Sequence, residues 1–394
     1  MSYQPGRHFL QLPGPTNSPL AVLQALALPT IDHRGPEFGQ LVLGLLSDIK
    51  KIFRTTEPVI IYTASGTGAW EAALVNTLSP GDQVLMYETG QFATLWRNIA
   101  RHLGLAAELI PGDWRSGVDA AAIGARLAAD SAHQIKAVAV VHNETSTGAL
   151  SDIVAVRKAI DGANHPALLL VDTVSSLAAV DYRHDEWGVD VTISGSQKGL
   201  LLPPGLSFNA ISKKALAASK QAKLPRSYWD WEGMLAANKS GYFPYTPNTN
   251  LLQALRVALN LLQAEGLERV FSRHARAAEA TRRCVRQWGF ELQCLVEKQY
   301  SPVLTGVVMP DGYSADKLRA HILAQSNMSL GAGLGKVADK IFRIGHIGDF
   351  HDMIVTATLT GVEMGLNSLG VPYRSGGVTA ATDYLSVKPA LAAA

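Results

Sequence analysis

A lysine and an aspartate, each following a hydrophobic run, are the residues in this chain best placed to do chemistry. Lys198 lies in Ser194-Gly195-Ser196-Gln197-Lys198-Gly199, just past residues 189–193, a run that reads as a buried parallel strand. Asp172 follows a second run, residues 168–171, and opens the stretch Thr173-Val174-Ser175-Ser176. Parallel strands ending side by side would bring both groups to one crevice at the carboxyl edge of a sheet. A lysine that is partly desolvated and near other charge becomes a useful amine nucleophile at neutral pH. An aspartate beside it suits a cofactor whose ring nitrogen must stay protonated.

Each residue alone has a plainer reading. Lysines just past strands are usually solvated loop residues, and an aspartate there is often a helix cap or a turn residue. Taken together, and flanked by small residues that admit a flat ring, they match the needs of pyridoxal 5'-phosphate. That cofactor requires a Schiff-base lysine and an acidic partner for its pyridinium.

Other positions extend the pattern. Ser65-Gly66-Thr67-Gly68 separates a strand from a helix, where exposed N–H groups and the helix dipole attract a phosphate. The tetrapeptide is neither a Walker A loop nor a GxGxxG fingerprint, and as a lone turn it says little. Phe92 follows another strand end and could face a flat ring or simply fill a core. Thr145 could bond a ring hydroxyl or shape a turn. Arg343 sits in the apolar segment Phe342-Arg343-Ile344-Gly345-His346, as a carboxylate clamp or half of an internal ion pair. His346 could form a second polar wall.

The elements that must carry these groups alternate in type, as in a doubly wound α/β sheet. Strands are expected at 59–63, 84–87, 137–141 and 206–211, and helices at 69–78 and 94–103. Residues 143–148 read as a loop. Past Gly266 a helix from 267 to about 288 has apolar residues at helical spacing, and His274 on it reads as a surface or satisfied core histidine. The expected division is an extended arm, 1–20, a large cofactor-binding α/β domain, 21–265, and a smaller α+β domain, 266–394. The alanine-rich tail after Pro389 should fray.

Bulk properties narrow the class. With 394 residues, 47% hydrophobic and 17% charged, the chain is long enough for two well-buried domains. A formal charge of +2 without a dense Lys/Arg block argues against nucleic acid or an anionic membrane as partner. Cys284 and Cys294 fit neither a disulfide framework nor a metal-ligand set, so no metal is expected. The first eleven residues lack the apolar stretch of a signal peptide, and a cytoplasmic location is expected.

These motifs, in this order, resemble the class V, fold-type I pyridoxal-phosphate aminotransferases, and within them the serine–glyoxylate and alanine–glyoxylate group. The resemblance runs from Pro13-Gly14-Pro15-Thr16-Asn17 and Asp32-His33-Arg34 through the Ser65, Thr145, Asp172 and Lys198 tracts to Gly241-Tyr242-Phe243-Pro244-Tyr245-Thr246-Pro247 and the Arg343 segment. It implies a fold-type I transferase with a large mixed-sheet domain and a smaller C-terminal α+β domain. It implies that Lys198 holds the cofactor covalently and shuttles a proton, that Asp172 holds the pyridinium proton, and that Phe92 stacks on the ring. Ser65, Gly66, Thr67 and Gln197 would bind phosphate, Thr145 would lie at the ring edge, and Arg343 would take the substrate carboxylate. Tyr245 and Thr246 resemble phosphate contacts given by the neighbouring subunit, so the resemblance implies a homodimer, with a tetramer open. The expected activity is transfer of an amino group from a small L-amino acid, best L-serine, to glyoxylate. Alanine and aspartate remain alternative donors. Cysteine desulfuration is a rival on the same fold, but residues 324–336 contain no cysteine. A nicotinamide dehydrogenase lacks its fingerprint, and a cofactor-free binding protein would not need both Lys198 and Asp172.

Overall fold

The computed structural model describes residues 7–387; the tail past Pro389, expected to fray, lies outside that span. Seven strands form one sheet in the order Val59–Tyr62, Ser207–Ile211, Val191–Gly195, Leu168–Asp172, Ile135–Val141, Gln83–Tyr87, Ala106–Ile110. Ser207–Ile211 runs antiparallel to both its neighbours, and the remaining pairs are parallel. The expected mixed-sheet α/β fold is therefore what forms. Asp172 pairs in register with Val141 on one side and Ile193 on the other. The carboxyl ends of these strands, and the loops leaving them, thus share one edge.

The continuous Val/Ile/Leu runs are those of strands covered on both faces. Alternate side chains divide between two cores. Ile61, Val138, Val140, Leu169 and Val171 pack with the helices Pro36–Phe53 and Thr249–Glu265. Ile60, Met86, Ala139, Leu170 and Ile193 pack with Gly66–Thr77 and Gln91–His102. None of the described helices is long and apolar enough to cross a membrane.

A second sheet has the order Phe9–Gln11, Met328–Ala332, Ile341–Gly345, Leu304–Val308, over a separate core that includes Trp288, Phe342 and Leu359. The long helix is Leu267–Trp288, and Gly289 ends it at φ 85°, a left-handed cap that suits glycine. The first strand of this sheet comes from the arm, with Phe9 to Gln11 paired parallel to Met328 to Leu330. The arm then returns to the first sheet, where the Thr16 N–H donates to the Gln197 carbonyl at 3.2 Å.

Two helices begin earlier than hydrophobic periodicity indicates. One starts at Gly66 rather than 69, because Ser65 adopts the extended N-cap geometry (φ −85°, ψ 168°) despite the poor helix propensity of the glycines after it. The other starts at Gln91 rather than 94, because Glu144 and Ser146 accept its first amides. Residues 143–148, read as a loop, open a small hairpin in which Asn143–Glu144 pairs with Ala149–Leu150.

Candidate active site

The strand ends enclose a cavity of about 260 Å³. Ser65, Gly66, Thr67, Phe92, Thr145, Asp172, Gln197 and Lys198 all line it, joined by Gly14, Trp70 and Asn143, which the sequence reading did not single out as site residues.

Lys198 is 8% exposed, and its Nζ donates to the Pro13 carbonyl at 2.6 Å. Burial lowers its ammonium to about 7; the Arg343 charge acts in the same direction and Asp172 opposes it. At neutral pH a large share of the amine is therefore unprotonated. Asp172, 4% exposed, accepts from the Val174 N–H at 2.6 Å. Burial raises its carboxyl to about 7, Val174 pulls it down, and Glu144 adds to the rise. Trp70 Nε1, on another residue of the cavity lining, has no hydrogen-bond partner among the described residues. A carboxyl in this state holds a proton near neutrality or pairs with a cation brought to it.

Also on the cavity lining, the Ser65 side chain makes no cap bond, so the first amides of the Gly66–Thr77 helix have no side-chain cap. Gly66 must be glycine, since a Cβ there would lie 2.6 Å from Val174 Cγ2. Gln197 Oε1 is buried without a partner, and so is Asn143 Oδ1, whose amide nitrogen donates to Ser175 Oγ at 2.8 Å. Buried polar atoms are normally satisfied. With Trp70 Nε1 these make three orphans among the residues lining the cavity, and they mark a place for a polar ligand. Phe92, the second residue of its helix, and Thr145 on the hairpin form the side walls.

Arg343 is 8% exposed in the strand Ile341–Gly345. Its Nε donates to the Ala332 carbonyl at 2.7 Å and its Nη1 to the Thr145 carbonyl at 2.5 Å. Among the described residues these hydrogen-bond partners are main-chain carbonyls, which neutralise no charge. Burial lowers its guanidinium to about 10. An ion pair inside the chain is thus not its role, and a buried arginine without one invites an anionic ligand. It does not line the cavity itself, but Pro13 links it to the lysine: a Cβ on Gly331 would touch both Pro13 Cδ and Arg343 Cβ at 2.9 Å.

Tyr245 and Thr246 lie away from this chain's own cavity. Tyr245 stacks on Tyr228 with ring centroids 4.1 Å apart and planes at 12°, and its hydroxyl is buried without a partner. Thr246 is exposed. His346 is not a pocket wall. Its Nδ1 meets the Pro302 carbonyl and its Nε2 the Thr305 hydroxyl, each at 3.0 Å. Burial lowers it to about 3, so it stays a neutral core histidine. His274 is fully buried, with Nδ1 on the Val270 carbonyl. Both cysteines are buried away from the cavity, with thiols raised by burial.

Trp70 and Asn143 had weak sequence signals. Trp70 follows Gly68-Ala69 near the start of its helix, and Asn143 stands two residues past the strand Ile135–Val141. Either could have been read as facing a ligand.

The family model for class-V aminotransferases matches residues 9–342. The serine–glyoxylate aminotransferase of Methylorubrum extorquens is 47% identical over 98% of this chain and 98% of its own. The Arabidopsis thaliana protein of the same description is 45% identical over 97% and 96%. The crystal structure of ureidoglycine–glyoxylate aminotransferase from Bacillus subtilis superposes with a TM-score of 0.90 at 25% identity, covering 98% of this chain and 100% of that one.

Proposed function

The chain belongs to the class-V aminotransferases, and from that premise we propose that it transfers the amino group of L-serine to glyoxylate, giving hydroxypyruvate and glycine. The observation that carries the donor is near-full-length identity of 45–47% to proteins described as serine–glyoxylate aminotransferases.

The cofactor of such an enzyme is pyridoxal 5'-phosphate, and the cavity suits it. In this reading the open helix N-terminus and Gln197 would take the phosphate, and Asp172 would be the proton partner of the ring nitrogen. Phe92 offers a flat face, and Asn143 Oδ1 and Thr145 stand ready for a ring hydroxyl. Lys198 supplies the amine that would hold it. When bound, pyridoxal phosphate supplies an aldehyde for the amino group and a protonated ring that draws off negative charge.

The chain's own residues then divide the work. Arg343 takes the carboxylate of donor and acceptor alike, with Ala332 and Thr145 fixing the plane of its guanidinium. Asp172 keeps a proton at the ring nitrogen. Lys198 Nζ, near neutral at working pH, moves the proton of the substrate Cα. The Pro13–Asn17 arm narrows the space around that amine and limits water. L-Serine leaves as hydroxypyruvate before glyoxylate enters and leaves as glycine, a ping-pong order.

Tyr245 and Thr246 complete the phosphate site of a second copy in this reading, which makes the working unit a homodimer. The unsatisfied, buried Tyr245 hydroxyl supports it. The arm (1–20), large unit (21–265) and small unit (266–394) remain the proposed division, with the arm's strand belonging to the smaller sheet. The protein acts in the cytoplasm.

The test is the absorbance spectrum of purified protein before and after L-serine, L-alanine or L-aspartate. A yellow band that L-serine converts fastest, and glyoxylate restores, is expected. Faster conversion by aspartate or alanine would reassign the donor. No band after added pyridoxal phosphate would overturn the reading of the cavity.

A further inference from the structure

Glu144 is a buried carboxylate that the chemistry above leaves unused. It has no exposed surface, yet five donors reach it. Its Oε1 accepts from the Ser146 N–H at 3.0 Å, the Ser146 hydroxyl at 2.6 Å and the Phe92 N–H at 3.4 Å. Its Oε2 accepts from the Ala93 N–H at 3.2 Å and the Thr89 hydroxyl at 3.5 Å. Ser146 Oγ in turn accepts from the Gln91 N–H at 2.9 Å.

Three amides at the head of the Gln91–His102 helix are thus held by side chains from the 143–150 hairpin. The N-cap position itself is Gly90, which has no side chain to offer, so the cap is imported. Glycine is required there. A Cβ on it would lie 2.3 Å from Ser146 Oγ and 2.6 Å from Glu144 Cδ. A carboxylate at this end also meets the positive pole of the helix.

The hairpin alternates its side chains. Asn143 and Thr145 line the cavity, while Glu144 and Ser146 turn back onto the helix. Phe92 is the second residue of that helix and also lines the cavity. We propose that Glu144 is a positioning residue: from behind the cavity wall it fixes the pitch of the helix head and so holds Phe92 flat against the cofactor ring. The proposal rests on the reading that this cavity takes pyridoxal phosphate. A carboxylate suits the task because it only accepts, whereas a glutamine would turn an N–H₂ toward donors.

The experiment titrates cofactor-free protein with pyridoxal phosphate and follows quenching of tryptophan fluorescence, Trp70 lying in the cavity wall. Wild type is compared with Glu144→Gln, Phe92→Ala and the double variant. Glu144→Gln is expected to weaken cofactor binding about tenfold, the scale of a lost charge-assisted bond. On the Phe92→Ala background it should weaken it no further, because the ring contact is already gone. Full additivity, or wild-type affinity in Glu144→Gln, would overturn the proposal. A lowered melting temperature with unchanged cofactor affinity would overturn it too, since that is what a purely structural role predicts. If Glu144→Gln does not fold, Ser146→Ala takes its place, with a loss of about threefold expected that again vanishes beside Phe92→Ala. Wild type that binds no cofactor would refute the reading of the cavity and not this relationship alone.

Discussion

Lys198 Nζ rests on the Pro13 carbonyl at 2.6 Å, and a Cβ on neighbouring Gly14 would lie 2.2–2.4 Å from the lysine's Cδ, Cε and Nζ. The arm and the lysine are fitted with no room between them. Gly14 also sits at φ +123°, where an L side chain is strained. Gly14→Ala should displace the amine and slow covalent capture of pyridoxal phosphate by about 100-fold, as misplacement by an ångström can. Stopped-flow absorbance of the cofactor-free protein measures it, with circular dichroism to verify the fold. Capture at the wild-type rate would show that the contact has no consequence.

The lowered Lys198 makes a prediction for stability. Its ammonium titrates at about 7 in the folded chain, against about 10.4 when unfolded. Between those values the unfolded chain binds more protons, so the cofactor-free protein gains stability as pH rises through that window. The full gain is on the order of 4–5 kcal/mol. The raised Asp172 titrates at about 7 and below, so it does not mask this range. Lys198→Met lacks the gain. Its melting-temperature advantage over wild type should be largest at pH 7 and shrink toward pH 10. A constant difference would contradict a desolvated amine.

Arg343 is gripped by two carbonyls from two different segments, Ala332 and Thr145. A lysine there keeps the charge but cannot hold both carbonyls and still present a planar fork. Arg343→Lys should raise KM in both half-reactions by about 10–100-fold, a loss of about 1.5–3 kcal/mol. Single-turnover kinetics with L-serine and with glyoxylate would measure each. An effect on one substrate alone would argue against a shared carboxylate site.

The proposed homodimer makes a prediction about mixtures. In a mixed dimer of Lys198→Ala and Tyr245→Ala chains, one site would combine an intact Lys198 with an intact Tyr245 from the other chain. Co-expressed chains should therefore regain activity well above the sum of the two parents. Simple summation would place Tyr245 in its own chain's site or in none.

The fold was legible because its strands are continuous apolar runs of the right length, Asp172 because it is the last residue of a strand, and Lys198 because it lies in the turn just past one. Residues whose role depends on distant partners were harder to read. Gln91 heads a helix only because Glu144 and Ser146 cap it across more than fifty residues of chain, so periodicity placed the start three residues late. Gly14 sat in a plainly visible Pro-Gly-Pro arm, but nothing local says that its missing side chain makes room for a lysine. His346 misled for the opposite reason. A histidine beside a buried arginine suggests a pocket, whereas its two nitrogens are already met by Pro302 and Thr305.

The strand Phe9–Gln11 pairs only with residues at 328–330, near the other end of the chain. A ribosome therefore delivers the arm first and its seat last. Until residues 328–330 are made, a growing polypeptide that already has Asp172, Lys198 and the Gly66–Thr77 helix lacks the seat of the arm's strand. Contacts this remote in sequence form late. The arm that presses on Lys198 therefore gains its strand partner only after both of the sheet strands ending at Asp172 and Gly195 have been made.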